Sequence, residues 1–244
     1  MNTKKIKFLI YKFPELGILI AVLMSFIIFY IADDSMADTS TLVRMATQGT
    51  CIGFAAYGMS YLMITGEIDL SSGAVAGLAA AVAGMMLDSG FSEITSYLAA
   101  LSVAALVGLL NSFMTLVIGI PSFFGTLGTS FAASGLIIWL LKGRWIYTGD
   151  YIPFLDLIFS PSLFLEFPWI FLFYVILIIF GDLLIRTSKL GTILKATGGN
   201  LMSAKIAGIN TNFVKTICFL FTSINFGFAG ILVMGYSGTT DFSI

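Results

Sequence analysis

The sequence predicts an all-α protein: a polytopic membrane bundle of about seven transmembrane helices with a short helical loop on the cytoplasmic side. Hydrophobic residues occupy 58% of the 244 positions and charged residues only 10%, whereas a soluble domain carries about 25% charged residues. The few charges are clustered, so long uncharged runs separate them. Such a chain cannot cover its surface in water, and we expect lipid to surround it. We expect a single membrane domain over residues 1–244.

Each transmembrane helix is predicted from an apolar run, because about 20 apolar residues are needed to cross the hydrocarbon core. The fourth and fifth runs divide at Gly119-Ile120-Pro121, because proline cannot continue a helix without losing a hydrogen bond. The first run is too long for the apolar region of a signal peptide, so we interpret it as a retained helix. The seven predicted spans are Leu16–Ala32, Met45–Thr65, Leu70–Leu87, Ile94–Ile118, Phe123–Leu141, Trp169–Ile185 and Phe213–Met234.

The distribution of lysine and arginine predicts a cytoplasmic amino terminus, because basic residues concentrate in the cytoplasmic loops of membrane proteins. Only Arg44, Lys142 and Arg144 then lie outside. The net charge of −1 and the lack of a basic stripe argue against binding of nucleic acid. The nine basic residues predicted inside are Lys4, Lys5, Lys7, Lys12, Arg186, Lys189, Lys195, Lys205 and Lys215.

The long inner loop between the sixth and seventh spans is predicted to form two short helices. The stretch "LGTILKATGGN" is amphipathic and is stopped by Gly198 and Gly199. Asn200 can cap the following "LMSAKIAGI", because its side chain accepts hydrogen bonds from free backbone N–H groups, and this helix should end near Gly208. Two interpretations remain open. The loop is either a surface segment anchored by lysines at the lipid headgroups or a docking element for a cytoplasmic protein.

Two acids interrupt the apolar sequence in "ITGEIDLSSGAV", where Glu67 and Asp69 are two residues apart. A carboxylate exposed to lipid costs several kcal/mol, so each acid should point into the protein or find a partner. Three roles are compatible with the residues. The acids could cap the start of the third helix, where negative charge is favoured; they could line a path for solute; or they could form a paired proton site.

Polar side chains also occur within the fourth and fifth spans. Asn111 and Thr115 share one helix face at i, i+4 spacing, and we expect them to form hydrogen bonds between helices. Phe123 and Thr126 lie just after the proline break, where they could shape the start of the fifth helix.

The ordered set of three motifs resembles the permease subunit of ATP-binding cassette importers for simple sugars, the ribose and monosaccharide type, which are related to branched-chain amino acid permeases. The first stretch is similar to the family's "TGGIDLSVGS", the second to "G-x-x-N-G … P-x-F-I-x-T-L-G", and the third to "A-x-G-x-N-x-x-A-A-x-x-S-G-I". The three stretches read "ITGEIDLSSGAVAGLAAAVAG", "GLLNSFMTLVIGIPSFFGTLGTS" and "LKATGGNLMSAKIAGINTNFVK".

The chain departs from the family pattern at several places. Glu67 stands where the family most often has glycine, Ser112 replaces the glycine after Asn111, and Lys205 replaces an alanine of the inner motif. Such permeases also run on for roughly three more helices. We therefore expect a truncated or split permease.

The resemblance implies a transport subunit of the cytoplasmic membrane that is not an enzyme and has no cofactor, catalytic residue or metal site. Its implied partners are a cytoplasmic ATPase that binds the ATP, an extracytoplasmic sugar-binding protein, a second permease chain and membrane lipid. The residues implied to couple to the ATPase are Lys195, Ala196, Thr197, Gly198, Gly199, Asn200, Ser203, Ala204, Lys205 and Gly208. The candidates for the translocation path are Gly66, Glu67, Asp69, Ser71, Asn111, Phe123 and Thr126.

An ion-coupled secondary transporter that uses Glu67 and Asp69 is the alternative function. A membrane enzyme is less well supported, because the chain has no histidine, the commonest general base. Cys51 and Cys218 lie in apolar runs, and we expect both to be buried as small hydrophobic residues.

Overall fold

The structure, a computed structural model, describes residues 15–149, 152–162 and 166–240. Over these ranges the chain forms ten α-helices and one short pair of strands, which confirms the all-α prediction. The helices are α1 (Glu15–Ala32), α2 (Thr39–Ile64), α3 (Ser72–Asp88), α4 (Glu93–Phe113), α5 (Ser122–Leu141), α6 (Pro153–Phe159), α7 (Trp169–Thr187), α8 (Lys189–Gly199), α9 (Leu201–Ile206) and α10 (Thr211–Ser237). A 3-10 turn spans Asp34–Ala37 and a π-helical turn spans Met114–Ile118. Four lysines of the charge count, Lys4, Lys5, Lys7 and Lys12, lie outside the described residues.

The chain divides into two compact units. The first ends at Ala46 and contains α1, and the second begins at Thr47 and contains α3 to α10. Large apolar side chains along α1, such as Ile18 and Val22, are exposed. The single domain over residues 1–244 stays a prediction, and the residues of the candidate site described below all belong to the second unit.

Seven of the ten described helices coincide in position with the seven predicted spans. Among the described residues, four are long and apolar enough to cross a membrane: Glu93–Ile118, Ser122–Leu141, Trp169–Thr187 and Thr211–Ser237. Two more, Leu16–Ala32 and Ser72–Asp88, are apolar but shorter. The remaining one, α2, has 26 residues but includes polar ones such as Gln48, Thr50 and Ser60. The number of membrane crossings therefore stays a prediction.

The centre of the second unit is α3, whose alanines and glycines are mostly buried. Small residues let helices approach closely inside a membrane, and α3 packs against α4, α5 and α10. Gly230 of α10 lies directly on the carbonyl of Ala76, where even a methyl group would overlap with the backbone. Gly84 lies against the hydroxyl of Thr240, which an added Cβ would approach to 2.7 Å. These contacts show that the helices around α3 are closely packed.

The connections at one end of the bundle include a short helix and the strand pair. β1 (Ile146–Tyr147) pairs antiparallel with β2 (Thr239–Thr240). The amide of Phe154, in α6, donates to a carboxylate oxygen of Glu93 at the start of α4 (N–Oε2 3.0 Å). Both contacts join segments that the predicted topology places outside.

The connections at the opposite end contain the motifs that carry the family resemblance. The π-helical turn closes at Gly119, whose φ of 86° lies in the left-handed region that favours glycine. Pro121 precedes α5, and the predicted break between the fourth and fifth spans is therefore confirmed.

Candidate functional site

Residues 65–71, which we name the polar break, connect α2 to α3 at the end of the bundle that holds the family motifs. The helix ends as the hydroxyl of Thr65 bonds back to the carbonyl of Leu62 (2.7 Å). The next residue, Gly66, has a φ of 85°, which a residue with a side chain adopts only with strain. The chain then runs through Glu67 and Asp69 before α3 begins.

Asp69 lies inside the protein, with 2% of its surface exposed. One carboxylate oxygen accepts hydrogen bonds from the amide of Ser71 (2.8 Å) and from its hydroxyl (2.5 Å). The other accepts from the amide nitrogen of Asn111 in α4 (3.1 Å). The bond to the Ser71 amide, one residue before α3, agrees with a role in starting that helix. The bond to Asn111 adds a second role, because it ties the polar break to α4.

Hydrogen bonds extend this network into α5. The hydroxyl of Thr129 donates to the side-chain oxygen of Asn111 (2.7 Å), and the hydroxyl of Thr126 accepts from the amide of Leu70 (2.9 Å). The predicted interhelical bonding of Asn111 is confirmed. Its predicted neighbour Thr115 falls in the π-helical turn and has no hydrogen-bond partner for its buried hydroxyl among the described residues. The π turn shifts the helical register after Phe113, so the i, i+4 relation does not extend across it.

The five residues of this network, Asp69, Ser71, Asn111, Thr126 and Thr129, are all buried. Most of their side-chain donors and acceptors bond to one another or to nearby backbone. Buried polar groups are stable only when they are paired in this way. In this conformation the network therefore has little capacity to bind another molecule, and it fastens the polar break to α4 and α5.

Glu67 has a different partner. Its carboxylate oxygen lies 2.5 Å from the ammonium nitrogen of Lys215, in the first part of α10, and the two side chains are only 14% and 12% exposed. The sequence-based count treated Lys215 as a loop lysine, although it lies inside the predicted seventh span. That position within an apolar run was a signal that it needed a buried partner, but it could not identify Glu67.

The inner loop forms α8 and α9, which confirms the prediction of two short helices. The side-chain oxygen of Asn200 accepts from the amide of Ser203 (2.9 Å), as expected for a helix cap. Gly208, with a φ of 83°, follows the end of α9. Of the residues implied to couple to an ATPase, Thr197 and Ala204 are buried. The others are exposed or half-buried: Lys195, Ala196, Gly198, Gly199, Asn200, Ser203, Lys205 and Gly208.

Gly198 joins α8 to the polar break. A Cβ on Gly198 would overlap with the carbonyl of Ile64, the last residue of α2. Gly66 is also adjacent, because a Cβ on it would lie 4.0 Å from the Cα of Gly198. The neighbouring Gly199 has open space instead, with nothing within 4 Å of an added Cβ. Gly198 therefore contacts the rest of the protein, whereas Gly199 faces open space.

The structure brings together six of the seven path candidates, namely Gly66, Glu67, Asp69, Ser71, Asn111 and Thr126, in or beside the polar break. The seventh, Phe123, lies in the first turn of α5 and is 47% exposed. Its backbone carbonyl is 3.5 Å from the hydroxyl of Thr126. Phe123 thus adjoins the network through its backbone.

A separate groove of about 460 Å³ lies between α2, α7, α8 and α10. Its lining is apolar apart from two tyrosines, whose hydroxyls bond to each other (2.8 Å). Such a surface suits hydrocarbon rather than a hydroxylated solute. The groove lining is Tyr57, Tyr61, Phe180, Leu184, Leu190, Ile193, Leu194, Phe213, Val214, Ile217, Cys218 and Phe221.

The two cysteines, Cys51 and Cys218, are free and buried. Both side chains pack in apolar clusters, which confirms the prediction that they act as small hydrophobic residues.

Comparison with known proteins gives a family and named relatives. Residues 41–244 match the model of the permease component of branched-chain amino acid transport systems. The chain is 30% identical to the autoinducer 2 import system permease protein LsrC of Yersinia pseudotuberculosis serotype O:3, over 90% of this chain and 62% of that protein. It is also 30% identical to LsrC of Photorhabdus luminescens, over 92% of this chain and 67% of that protein. No solved structure matches the chain.

The chain thus spans about three-fifths to two-thirds of the length of the curated relatives that it matches. These relatives and the four long apolar helices together show a multi-pass membrane protein. The family match covers the polar break, the α4–α5 break and the inner loop, which are the three stretches that carry the resemblance in the sequence. The chain therefore belongs to the permease family of branched-chain amino acid transport systems.

Proposed function

We propose that this chain is the permease subunit of an ATP-binding cassette importer for a simple sugar of the ribose or monosaccharide class. The observation that carries the proposal is the contact of Gly198 with the carbonyl of Ile64. Through it, the first of the two short helices that resemble the coupling loop of such permeases lies directly against the polar break. The subunit has no chemistry of its own, since a separate ATPase binds and hydrolyses the ATP.

The proposed location is the inner membrane, and the proposed orientation has the amino terminus and α8–α9 facing the cytoplasm. The basic residues of the inner loop favour this side. The ATPase would bind the exposed surface that includes Gly199, Asn200, Ser203 and Lys205. A sugar-binding protein would deliver the solute at the other face, and a second permease chain would complete the path.

The proposed mechanism uses the polar break as the part that moves. ATP binding can act only by favouring one conformation of the assembly over another. Closure of the ATPases would displace α8, and the Gly198–Ile64 contact would pass that displacement to residues 65–71. Because the Asp69–Asn111 network is closed on itself here, its hydroxyl and amide groups reach a solute only after the break has shifted.

A neutral sugar suits the groups beside the break better than an amino acid does. Ser71, Asn111 and Thr126 offer hydroxyl and amide groups that can donate to and accept from sugar hydroxyls, and the half-exposed Phe123 lies about one turn before Thr126 in α5. An amino acid would need partners for both a carboxylate and an ammonium group. Lys215, a basic residue that contacts the polar break, is already paired with Glu67.

The ion-coupled alternative has less support from the same contacts. A proton site needs a carboxylate that is free to titrate between two states of the transporter. Glu67 is held by Lys215, and Asp69 is held by Ser71 and Asn111. Uptake that survives loss of the ATPase but stops when the proton gradient collapses would support this alternative instead.

The test of the proposal is Gly199→Leu in the full chain, reconstituted with its ATPase in proteoliposomes. An added side chain at this position meets open space, so the chain itself should fold normally. We expect uptake of labelled ribose and stimulated ATP hydrolysis to fall about tenfold, because a loss of roughly 1.4 kcal/mol of binding has that effect.

Gly135→Leu is the matched control, since an added Cβ on this exposed glycine also meets nothing within 4 Å. Gly135 lies in the second half of α5, away from the end of the bundle that holds the inner loop. It should leave both activities unchanged. If Gly199→Leu transports ribose as well as the unmodified protein, the assignment of the docking surface is wrong.

A further inference from the structure

The ion pair between Glu67 and Lys215 connects the polar break to α10. We name the polar break together with α8 and α9 the coupling region. The two residues are 148 positions apart in the sequence, so the pair joins elements that have no local reason to be adjacent. One partner lies in the polar break and the other in α10. At 2.5 Å, with both side chains about seven-eighths buried, the charges are in direct contact and largely shielded from water.

Each partner is connected to the inner loop through only a few residues. On one side, Gly198 of α8 rests on the carbonyl of Ile64, three residues before Glu67. On the other side, α9 leads through Asn210, which caps α10 by accepting from the amide of Phe213 (3.1 Å), to Lys215. A displacement of α8 and α9 relative to either neighbour therefore changes the separation of the two charges.

The rest of the polar break is held by hydrogen bonds to α4 and α5. Ile68 donates to the hydroxyl of Ser122 (3.3 Å), and Leu70 donates to the hydroxyl of Thr126 (2.9 Å). Glu67 is the residue of the break that reaches α10 through an ion pair. The attraction within an ion pair falls when the charges separate or become hydrated, so this contact stabilises only the conformation in which the two side chains meet.

We infer that Glu67 and Lys215 form a charge lock that holds the coupling region in its resting conformation and opens when the ATPase displaces α8 and α9. This inference rests on the proposed function. The two residues are positioning residues that contact neither solute nor nucleotide. They set the free energy that ATP binding must supply before the coupling region leaves its resting conformation.

The lock has a consequence that simple stabilisation lacks. With one partner removed, the resting conformation loses its advantage over the displaced one, and the ATPase should run without solute or binding protein. A neutral partner in place of one charge also leaves the other charge unpaired. Exchange of the two charges keeps the attraction and should restore the resting state.

The experiment uses the full chain with its ATPase in nanodiscs and measures ATP hydrolysis with and without the binding protein loaded with ribose. Wild-type protein is measured first; if the binding protein gives no stimulation there, the proposed function fails, and the charge lock that rests on it fails with it. In Glu67→Gln and in Lys215→Gln we expect the unstimulated rate to rise about tenfold, a shift of about 1.4 kcal/mol, while the stimulated rate changes less than twofold.

The exchange variant Glu67→Lys with Lys215→Glu should return the unstimulated rate to within about twofold of wild type, which is about 0.4 kcal/mol on the same scale. Asp182→Asn is the matched control, because it breaks an ion pair with Arg186 that is exposed and within one helix. It should leave the rate unchanged. A normal unstimulated rate in both well-folded single variants, or failure of the exchange to restore it, overturns the inference.

A second arm does not depend on the stability of the charge variants. Glu67→Cys and Lys215→Cys, in a background of Cys51→Ala and Cys218→Ala, would be joined by a short reducible thiol crosslinker. The linked protein should lose stimulated hydrolysis and ribose uptake, and reduction should restore both. Full activity in the linked protein would overturn the lock, since the two positions would then not need to separate.

Discussion

Asp69→Ala is the most informative substitution in the buried network, because the structure gives its cost bond by bond. Removal of the carboxylate leaves the amide and the hydroxyl of Ser71 without their acceptor and takes one of the two acceptors from the side-chain nitrogen of Asn111. A buried donor left without a partner costs about 1–3 kcal/mol. Loss of a buried charge offsets part of this, since carboxylates are costly to desolvate. We expect a net loss of about 1–3 kcal/mol.

The assay is thermal unfolding of the full chain in nanodiscs. For a chain of this size, 1 kcal/mol corresponds to about 2–4 °C in Tm, so Asp69→Ala should lower Tm by about 2–12 °C. Asp182→Ala is the control, because exposed ion pairs contribute less than about 1 kcal/mol. An Asp69→Ala protein that melts within a degree of wild type would refute the view that this carboxylate fastens the break.

The exchange Asp69→Asn with Asn111→Asp tests the pairing itself. Each single change places like groups opposite each other, donor against donor or carboxylate against carboxylate. The double change restores one donor and one acceptor at the 3.1 Å contact between the two side chains. We expect the exchange to recover at least half of the Tm lost in the worse single variant, and no recovery would mean that the contact is not the source of the loss.

Two further predictions concern the inner loop. Gly198→Ala should lower Tm by several degrees, because its Cβ would overlap with the carbonyl of Ile64 and overpacking costs about 1–3 kcal/mol; Gly199→Ala, with open surroundings, should not, and equal Tm values for both variants would contradict the contact. Asn200→Ala removes the cap on the amide of Ser203, which costs about 1 kcal/mol. Hydrogen exchange over residues 201–206 should then be about fivefold faster, and unchanged exchange would show that the cap is dispensable.

Most of the fold was predictable because its signals are local. Apolar runs, the left-handed glycine and proline at residues 119–121, and the capping side chain of Asn200 each act within a few residues, and the structure has the corresponding helices and breaks. Helix boundaries differ from the prediction mainly at α2, which begins at Thr39 rather than Met45. The additional residues include Arg44, a charge that the search for apolar runs excluded.

The contacts of the candidate site were less predictable because they depend on distant residues. Nothing near Glu67 in the sequence indicates Lys215, and nothing near Asn111 indicates that Asp69 and Thr129 would be its partners. The family resemblance located the three stretches but not their pairing. It also could not assign Glu67, since the family most often has glycine there.

The arrangement of these contacts explains why two acids occupy so apolar a sequence. A break between two membrane helices leaves backbone groups unpaired, and these groups must bond within the protein because lipid offers no partners. Asp69 meets that need by bonding to Ser71 and Asn111, as a neutral residue such as asparagine could in part. Glu67 does not, since it bonds to no backbone group of the break and instead contacts a charge on α10. Glu67 thus carries a buried charge without bonding to the backbone of the break. Its presence is better explained by the resting conformation that it stabilises than by the stability of the break.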